Sequence, residues 1–393
     1  MVMSHDAVPV GEATLLQQAC DKYQSSFGRA AVAASSAPGR VNLIGEHVDY
    51  CEGYVLPVAI PFVTVVVGGY NDTDECHVIS VLANGDVVST AFPATSVAKL
   101  TPGEPAWANY VKGTVSKFPK PVQGFNMAIT SDVPMGAGLS SSASLEVAVC
   151  TFLEVLTGLT VDPVEKARLC QSAEHEFPGV PCGVMDQYIV SMAKKDTALL
   201  IDCRSFGSTH VPMKTGDYVV LVTNSNVKHK LTGSEYPQRR AQCEEAASRL
   251  GLPSLRSAKT ADLERLKQMN CDELVLRRAQ HVIEEIERTQ QVAKSFREND
   301  LERVGRLFYE SHESMSKLME ISCPELDELV RIIRPAPGVL GARMTGGGFG
   351  GCVVTLVKKD QVDNLKKLIL SKYRGDPVFF VCQPSDGAKG IKL

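Results

Sequence analysis

The sequence predicts an α+β fold divided into two domains. A chain of 393 residues is long enough for two domains of ordinary size, each with a core of its own. Strand-like runs at 54–67, 76–82 and 125–131 mix with helical segments in the first half. The second half is richer in long helices and closes with a strand–helix–strand pattern, which is typical of a compact α+β domain.

The domain boundary is predicted where the composition changes, around 207–216. The first domain then spans 1–212 and the second 213–393. The last strand of the chain can still return to the first domain.

The charge balance and the cysteines restrict the class of partner. The formal net charge is −4 and the isoelectric point about 6.1, so the chain offers no basic field for a nucleic acid or an anionic membrane. Twelve cysteines occur without a C-x-x-C pair, which is neither a zinc pattern nor a compact disulfide framework. With no apolar signal segment at the amino terminus, we expect a cytoplasmic protein with free thiols and a small-molecule partner.

The first helix is predicted from apolar residues at helical spacing between Leu15 and Phe27, and Gly28 ends it. The stretch that follows, 37–56, concentrates polar groups of both signs: Arg40, Asn42, Glu46, His47 and Asp49. Apolar residues adjoin these positions, so the charges should lie close to a core. Buried charges must be paired or used in a function.

The only tryptophan, Trp107, lies in a loop that follows the early strands. A single tryptophan is most often part of a core, and it can also stack on a flat ring of a ligand. The sequence leaves both interpretations open.

A glycine-rich turn runs into three consecutive serines and an apolar helix at 133–149, which predicts a phosphate-binding loop. Gly136 and Gly138 can adopt positive φ and turn successive N–H groups inward. The helix that begins near Ser141 adds its positive dipole end. An ordinary turn with a helix cap is the alternative. Because the chain lacks a Walker A lysine and a His-Arg-Asp loop, amides, hydroxyls and a metal would have to hold a nucleotide.

Two carboxylates follow on helices. Glu174 falls on the apolar stripe of a helix that begins at Asp162, a position that is costly unless the carboxylate meets a cation or donors. This indicates a role near a metal, with a glutamate that reaches out at the edge of the stripe as the alternative. Asp186 lies beside the apolar stripe at the start of the next helix, where it can also be a simple partner of the helix dipole.

Further strands are predicted at 197–202 and 217–223. Near the end of the chain, 344–356 places five glycines in six residues directly before a strand. So many glycines indicate that the backbone approaches something closely, either a ligand or the first glycine loop across a cleft.

Three motifs in this order resemble the GHMP small-molecule kinases: PGRVNLIGEH at 38–47, PMGAGLSSSAS at 134–144 and MTGGGFGGC at 344–352. The first is similar to the galactokinase signature within that family, and the resemblance covers nearly the whole chain. It implies an amino-terminal domain of ribosomal-protein-S5-like topology and a carboxy-terminal ferredoxin-like domain, with the active site between them. It also implies ATP, Mg²⁺ and the sugar galactose as the small molecules bound.

The same resemblance implies the site residues. The sugar ligands would be Arg40, Glu46, His47, Asp49, Gly183, Asp186 and Tyr236. The nucleotide would be held by Trp107, Gly136, Gly138, Leu139, Ser140, Ser141 and Ser142. Mg²⁺ would be held by Ser142 and Glu174. In this scheme Asp186 accepts the proton of the sugar C1 hydroxyl, and Arg40 stabilises charge on the transferring phosphoryl group.

Two alternatives share these motifs. An N-acetylgalactosamine kinase needs room at the sugar C2 position, and a catalytically silent galactose and ATP sensor has an altered serine loop, whereas GLSSSAS is intact here. We expect a monomer or weak dimer with no nucleic acid or membrane partner.

Overall fold

The computed structural model describes residues 5–228 and 235–393. The strands are, in chain order, β1 (Ala33–Asn42), β2 (Tyr54–Val55), β3 (Pro57–Tyr70), β4 (Glu75–Val81), β5 (Val87–Pro93), β6 (Phe125–Ser131), β7 (Thr197–Asp202), β8 (Ser208–Pro212), β9 (Tyr218–Lys228), β10 (Val339–Thr345), β11 (Gly350–Lys358), β12 (Val378–Cys382) and β13 (Lys389–Lys392). The helices are α1 (Glu12–Phe27), α2 (Ala108–Lys117), α3 (Ser141–Thr157), α4 (Pro163–Glu176), α5 (Met185–Met192), α6 (Glu235–Leu250), α7 (Thr260–Gln268), α8 (Glu273–Glu298), α9 (Leu301–Ser314), α10 (Pro324–Ile333) and α11 (Val362–Lys372).

The strands form three sheets. A six-stranded sheet has the order β13-β1-β3-β6-β4-β5, with antiparallel neighbours except for the parallel pair β4 and β6. An antiparallel four-stranded sheet has the order β10-β11-β9-β12, and β2, β7 and β8 form a third sheet. Helices and mixed sheets together confirm the predicted α+β class.

Helix α3 is the central helix of the first half. It packs on β1 and β3 and is covered by α2, α4 and α5. Burial on several sides at once explains why its sequence is apolar all round, as predicted. Its first turn is therefore held rigidly at the end of the core, which fixes the position of the serine loop.

The strands β1, β5, β8 and β10 were not predicted, and for the first three the burial or position explains why. Every residue of β1 is buried, so its sequence AASSAPGRVN lacks the polar alternation that marks a half-exposed strand. Strand β5 is largely exposed, and β8 lies inside the segment chosen as the boundary. The pattern of apolar residues is informative only where one face of a strand is covered and the other is not.

The division at 212/213 falls directly after β8 and stays a prediction. The final strand, β13, pairs with β1 in the register Ala33 with Lys392, so the chain does return to the first sheet. Among the described residues, no helix combines the length and apolarity needed to cross a membrane.

Candidate active site

All seven predicted sugar residues line one cavity of about 440 Å³. They come from four parts of the chain, namely β1, the loop after it, the start of α5 and the start of α6: Arg40, Glu46, His47, Asp49, Gly183, Asp186 and Tyr236. The cavity also has an apolar side and a rim of glycine backbone, which the sugar prediction did not include: Val180, Pro181, Cys182, Met185, Pro237 and Gly346–Gly348. A small number of convergent polar groups in an otherwise apolar pocket is typical of a small-molecule site.

Arg40 and Asp186 form a bidentate ion pair at the edge of this cavity. Arg40 donates from Nε and Nη2 to the two carboxylate oxygens of Asp186, at 2.8 Å each, and from Nη1 to the carbonyl of Gly138 at 2.7 Å. The hydroxyl of Ser140 also donates to Asp186. The planar guanidinium therefore fixes both the carboxylate and the glycine loop.

Glu46 is held by the second half of the molecule. Its carboxylate pairs with Arg343 and accepts from the Thr345 hydroxyl and the Gly346 amide, each at 3.1 Å. The side chain is buried, and burial raises the pKa of Glu46 although Arg343 opposes this. The cavity wall therefore depends on β10.

His47 and Tyr236 form an aromatic wall together with Tyr50. The ring centroids of His47 and Tyr236 are 5.0 Å apart. The carbonyl of Gly347 can only accept, so His47 donates to it from Nε2 at 3.1 Å, and its Nδ1 accepts from the Tyr50 hydroxyl at 2.8 Å. Burial lowers the pKa of His47 to about 3, so the imidazole is neutral.

Asp49 lies against the backbone of Gly183. A Cβ added to Gly183 would be 1.7 Å from Oδ2 of Asp49, so only glycine allows this carboxylate its position. Burial, together with the nearby Asp186 and Glu46, raises the pKa of Asp49 to about 6, although backbone hydrogen bonds oppose the shift.

The serine loop has the geometry of an anion site. Gly136 and Gly138 have φ of 70° and 74°, as predicted, and α3 begins at Ser141. Ser140 occupies the N-cap position, but its side chain makes no cap hydrogen bond because it donates to Asp186 instead. The first amides of α3 are therefore not capped by a side chain and remain available to an anion.

The second glycine loop, 346–351, faces the first. The thiol of Cys352 donates to the carbonyl of Ala137 at 2.9 Å, and the Cβ position of Gly346 is 3.9 Å from the carbonyl of Gly138. Gly348 has φ of 86° and a Cβ position 2.3 Å from the carbonyl of Ile321, so its backbone is packed closely on the other side. The loop therefore lines the cavity and approaches the first glycine loop, and its contact with a ligand stays a prediction.

Glu174 is buried on α4, as its place on the apolar stripe predicted. Its carboxylate lies close to the Ser142 hydroxyl and accepts from Gln187 at 2.6 Å and from the Cys182 thiol at 3.4 Å. Burial and the nearby Asp186 raise the pKa of Glu174. Ser142 and Glu174, the two predicted metal ligands, are therefore adjacent.

The described residues contain no cluster of three or more histidine, cysteine or acidic side chains that could hold a metal alone. A hydroxyl and one carboxylate still fit Mg²⁺, which takes its other oxygen ligands from phosphates and water in nucleotide sites.

Trp107 is partly buried against the main core and lies at the N-cap of α2. It does not line the sugar cavity. Its predicted place beside adenine stays a prediction.

Three residues of this region were not found from the sequence. Arg343 follows the first half by more than a hundred residues, and nothing in its local sequence marks it as the partner of Glu46. Gln187 and Glu146 lie beside Glu174, and Glu146 gave a weak signal as one of two carboxylates in a largely apolar helix.

Three family models match this chain. They are the galactokinase galactose-binding signature over residues 21–70, the GHMP kinases N terminal domain over 109–194 and the GHMP kinases C terminal over 292–374. Together these models cover the cavity loop, the serine loop with α3 to α5, and the strands β10 and β11 of the four-stranded sheet.

Proteins similar along their whole length carry the same name. Galactokinase of Homo sapiens is 47% identical, and the match covers 97% of this chain and 98% of the human protein. Galactokinase of Bos taurus is also 47% identical, and that match covers 95% of this chain and 96% of the bovine protein. The crystal structure of Lactococcus lactis galactokinase complexed with galactose matches with a TM-score of 0.88 and 33% identity, covering 95% of this chain and 98% of that one. These matches confirm the two-domain GHMP kinase fold.

Proposed function

This chain belongs to the galactokinases of the GHMP kinase family, and from this premise we propose that its cavity binds α-D-galactose for phosphorylation by ATP. The γ-phosphoryl group of ATP is transferred to the C1 hydroxyl, and the products are α-D-galactose 1-phosphate and ADP. This reaction is the committed entry of galactose into its breakdown by the Leloir pathway, as the resemblance implies.

The Arg40–Asp186 pair is the observation that carries the proposal. It lies where the sugar cavity meets the serine loop, because Arg40 contacts both Asp186 and the carbonyl of Gly138. Asp186 accepts the proton of the C1 hydroxyl as the oxygen attacks phosphorus, and Arg40 stabilises the charge that develops on the transferring group. The fixed geometry means that neither group has to move far during the reaction.

ATP binds with its phosphates on the loop from Gly136 to Ser142, where uncapped amides and the dipole of α3 favour negative charge. Leu139, Ser140 and Ser141 contribute backbone and hydroxyl groups, and Trp107 lies beside the adenine. The absence of a Walker A lysine from the sequence makes these neutral donors the main protein contacts to the phosphates.

Ser142 and Glu174 would hold Mg²⁺. When bound, the ion neutralises phosphate charge and orients the transferring group. The chain's own part is to place one hydroxyl and one carboxylate side by side at the amino end of α3.

A hexose panel tests the proposed reaction. Purified protein with ATP and Mg²⁺ should release ADP with galactose, whereas glucose should be poorer by on the order of 10⁴-fold in kcat/KM because buried polar groups lose the axial C4 hydroxyl. Turnover of N-acetylgalactosamine above that of galactose would favour the C2-modified substrate instead. Absence of ADP release with every sugar would mean a binding protein without catalysis.

Asp186→Ala tests the catalytic assignment. We expect turnover to be lost while ATP still binds, because the substitution removes the proton acceptor for the C1 hydroxyl and leaves the amides of the serine loop in place. Turnover assays and calorimetry with ATP measure the two properties together. Asp86→Ala, at an exposed turn between β4 and β5, is the control and should leave both unchanged. A kcat near that of the wild type in Asp186→Ala would contradict the assignment.

We also propose that the protein works in the cytoplasm as a monomer or weak dimer without a nucleic acid or membrane partner. All twelve cysteines are unpaired, and the net charge of −4 supports a small-molecule enzyme.

A further inference from the structure

A buried hydrogen-bond chain lies directly behind the two proposed metal ligands. Gln187, the residue after Asp186 on α5, donates from Nε2 to Oε2 of Glu174 at 2.6 Å and to Oε2 of Glu146 at 3.1 Å. Glu146 lies on α3 one turn after Ser142. Glu146 and Gln187 are both 0% exposed, so neither side chain can exchange this contact for water.

This hydrogen-bond chain fixes which way the side-chain amide of Gln187 points. With Nε2 toward two carboxyl groups, both of its hydrogens are used, whereas a flipped amide would set its oxygen against two acceptors. Glu146 therefore keeps Nε2 on Glu174. This in turn leaves the Glu174 carboxylate close to the Ser142 hydroxyl.

Within this hydrogen-bond chain, two buried oxygens have no hydrogen-bond partner among the described residues: Oε1 of Glu146 and Oε1 of Gln187. A core position with an unpaired carboxyl oxygen costs stability, so an apolar residue would be the better choice for packing alone. Burial and the nearby Glu174 raise the pKa of Glu146 well above its usual value.

We propose that Glu146 is a positioning residue for the metal-dependent step: through Gln187 it holds the Glu174 carboxylate in the orientation in which Glu174 and Ser142 together receive Mg²⁺. The proposal rests on the proposed function, in which these two residues are the ligands. Partners one step behind a metal ligand are typically worth 10- to 100-fold in metal affinity.

The test uses binding without turnover. Calorimetry measures the dissociation constant of the β,γ-imido analogue of ATP with and without Mg²⁺. The constant without Mg²⁺ divided by the constant with Mg²⁺ is the ratio that reports how strongly the protein uses the ion. Galactose affinity is measured on the same samples. Glu146→Met and Gln187→Met should each reduce the ratio about tenfold and leave galactose affinity within about twofold of the wild type.

Matched variants separate positioning from packing and from charge. Glu146→Gln offers an oxygen and an amide to Gln187, so its ratio should match the wild type. Glu154→Met removes another carboxylate from α3, a partly buried one that pairs with Lys166 at 2.5 Å, and it should not change the ratio. The double variant Glu146→Met/Gln187→Met should be no worse than either single one, since both act through one contact.

Three results would overturn the proposal. An unchanged ratio in Gln187→Met means that the chain does not orient Glu174, and this variant decides the question even if Glu146→Met does not fold. An equal loss in Glu146→Gln and Glu146→Met means that the charge of Glu146 is used directly. An equal loss in Glu154→Met means a general effect on α3. A Glu174→Gln variant with the wild-type ratio would instead reject the metal ligands themselves, and so the proposed function at this point.

Discussion

Asp49 illustrates how the surroundings of one carboxylate set its chemistry. Burial raises its pKa to about 6, with Asp186 and Glu46 acting in the same direction, while the pKa of His47 is near 3. Within this group of sugar residues, Asp49 therefore changes its charge at a pH close to that of the assay, and neutral His47 does not.

The pH dependence of galactose use follows from this pKa. Below about pH 6 Asp49 is protonated and loses an acceptor, so kcat/KM for galactose should fall as the pH drops through 6. Asp49→Asn should flatten this limb, and rate measurements from pH 5 to pH 8 check it. A limb that stays at the same pH in the variant would assign it to another group.

The same shift has an opposite effect on stability. Because the folded pKa is above the unfolded value, the unfolded chain ionises first, and the free energy of unfolding should decrease as the pH rises from about 4 to about 6. Asp49→Asn should remove this decrease.

Asp49→Ala should weaken the binding of galactose far more than the binding of ATP. It should also narrow the ratio of kcat/KM between galactose and glucose, because the cost of leaving the Asp49 carboxylate unpaired with glucose disappears with the side chain.

At the scale of one element, α3 carries a left-handed glycine at each of its ends. Gly138 has φ of 74° near its start and Gly158 has φ of 71° at its end, and an added Cβ would meet no atom within 4 Å at either position. The two positions therefore share the backbone conformation and differ in function.

This symmetry provides a matched pair of variants. Gly138→Ala and Gly158→Ala should each lower the free energy of unfolding by about 1 kcal/mol, the cost of a left-handed conformation with a Cβ. Gly138→Ala alone should raise KM for ATP, because its methyl group enters the open space where the phosphates bind. Denaturant unfolding and steady-state kinetics measure the two effects. Equal effects of both variants on KM for ATP would argue against a phosphate loop at Gly138.

At the scale of the whole molecule, one guanidinium joins the two halves. Arg343 on β10 is 0% exposed, donates to the carbonyl of Leu43 at 2.6 Å and pairs with Glu46. Its Nη2 is also 3.7 Å from Glu285 on α8. Burial would raise the pKa of Glu285, but the nearby Arg288 and Arg343 lower it to about 2, so Glu285 stays ionised.

Loss of this guanidinium should affect stability and sugar binding together. Arg343→Met leaves Glu46 buried without its cation, and removal of one member of a buried pair costs about 3–5 kcal/mol. We expect this loss in the free energy of unfolding, and a larger loss of affinity for galactose than for ATP. Arg249→Met, which breaks a surface pair with Glu245, is the control and should change neither. A fully stable Arg343→Met protein would mean that Glu46 is held by Thr345 and Gly346 alone.

The local chemistry of the site was readable from the sequence. Glycines that need positive φ, serines at the start of an apolar helix and a carboxylate on an apolar stripe are properties of a few neighbouring residues, and the structure places Gly138, Ser142 and Glu174 accordingly. The resemblance of three motifs added which residues meet in the sugar cavity.

Only the tertiary structure decided the long-range partners. Arg343 and Glu46 are 297 residues apart, and Gln187 joins α3 and α4, so no spacing along the chain could pair them. The return of β13 to β1 is of the same kind. A helix or turn follows from local backbone preferences, whereas the partner of a buried charge depends on which elements the topology brings together. Burial makes such a partner obligatory without encoding its position in the neighbouring residues.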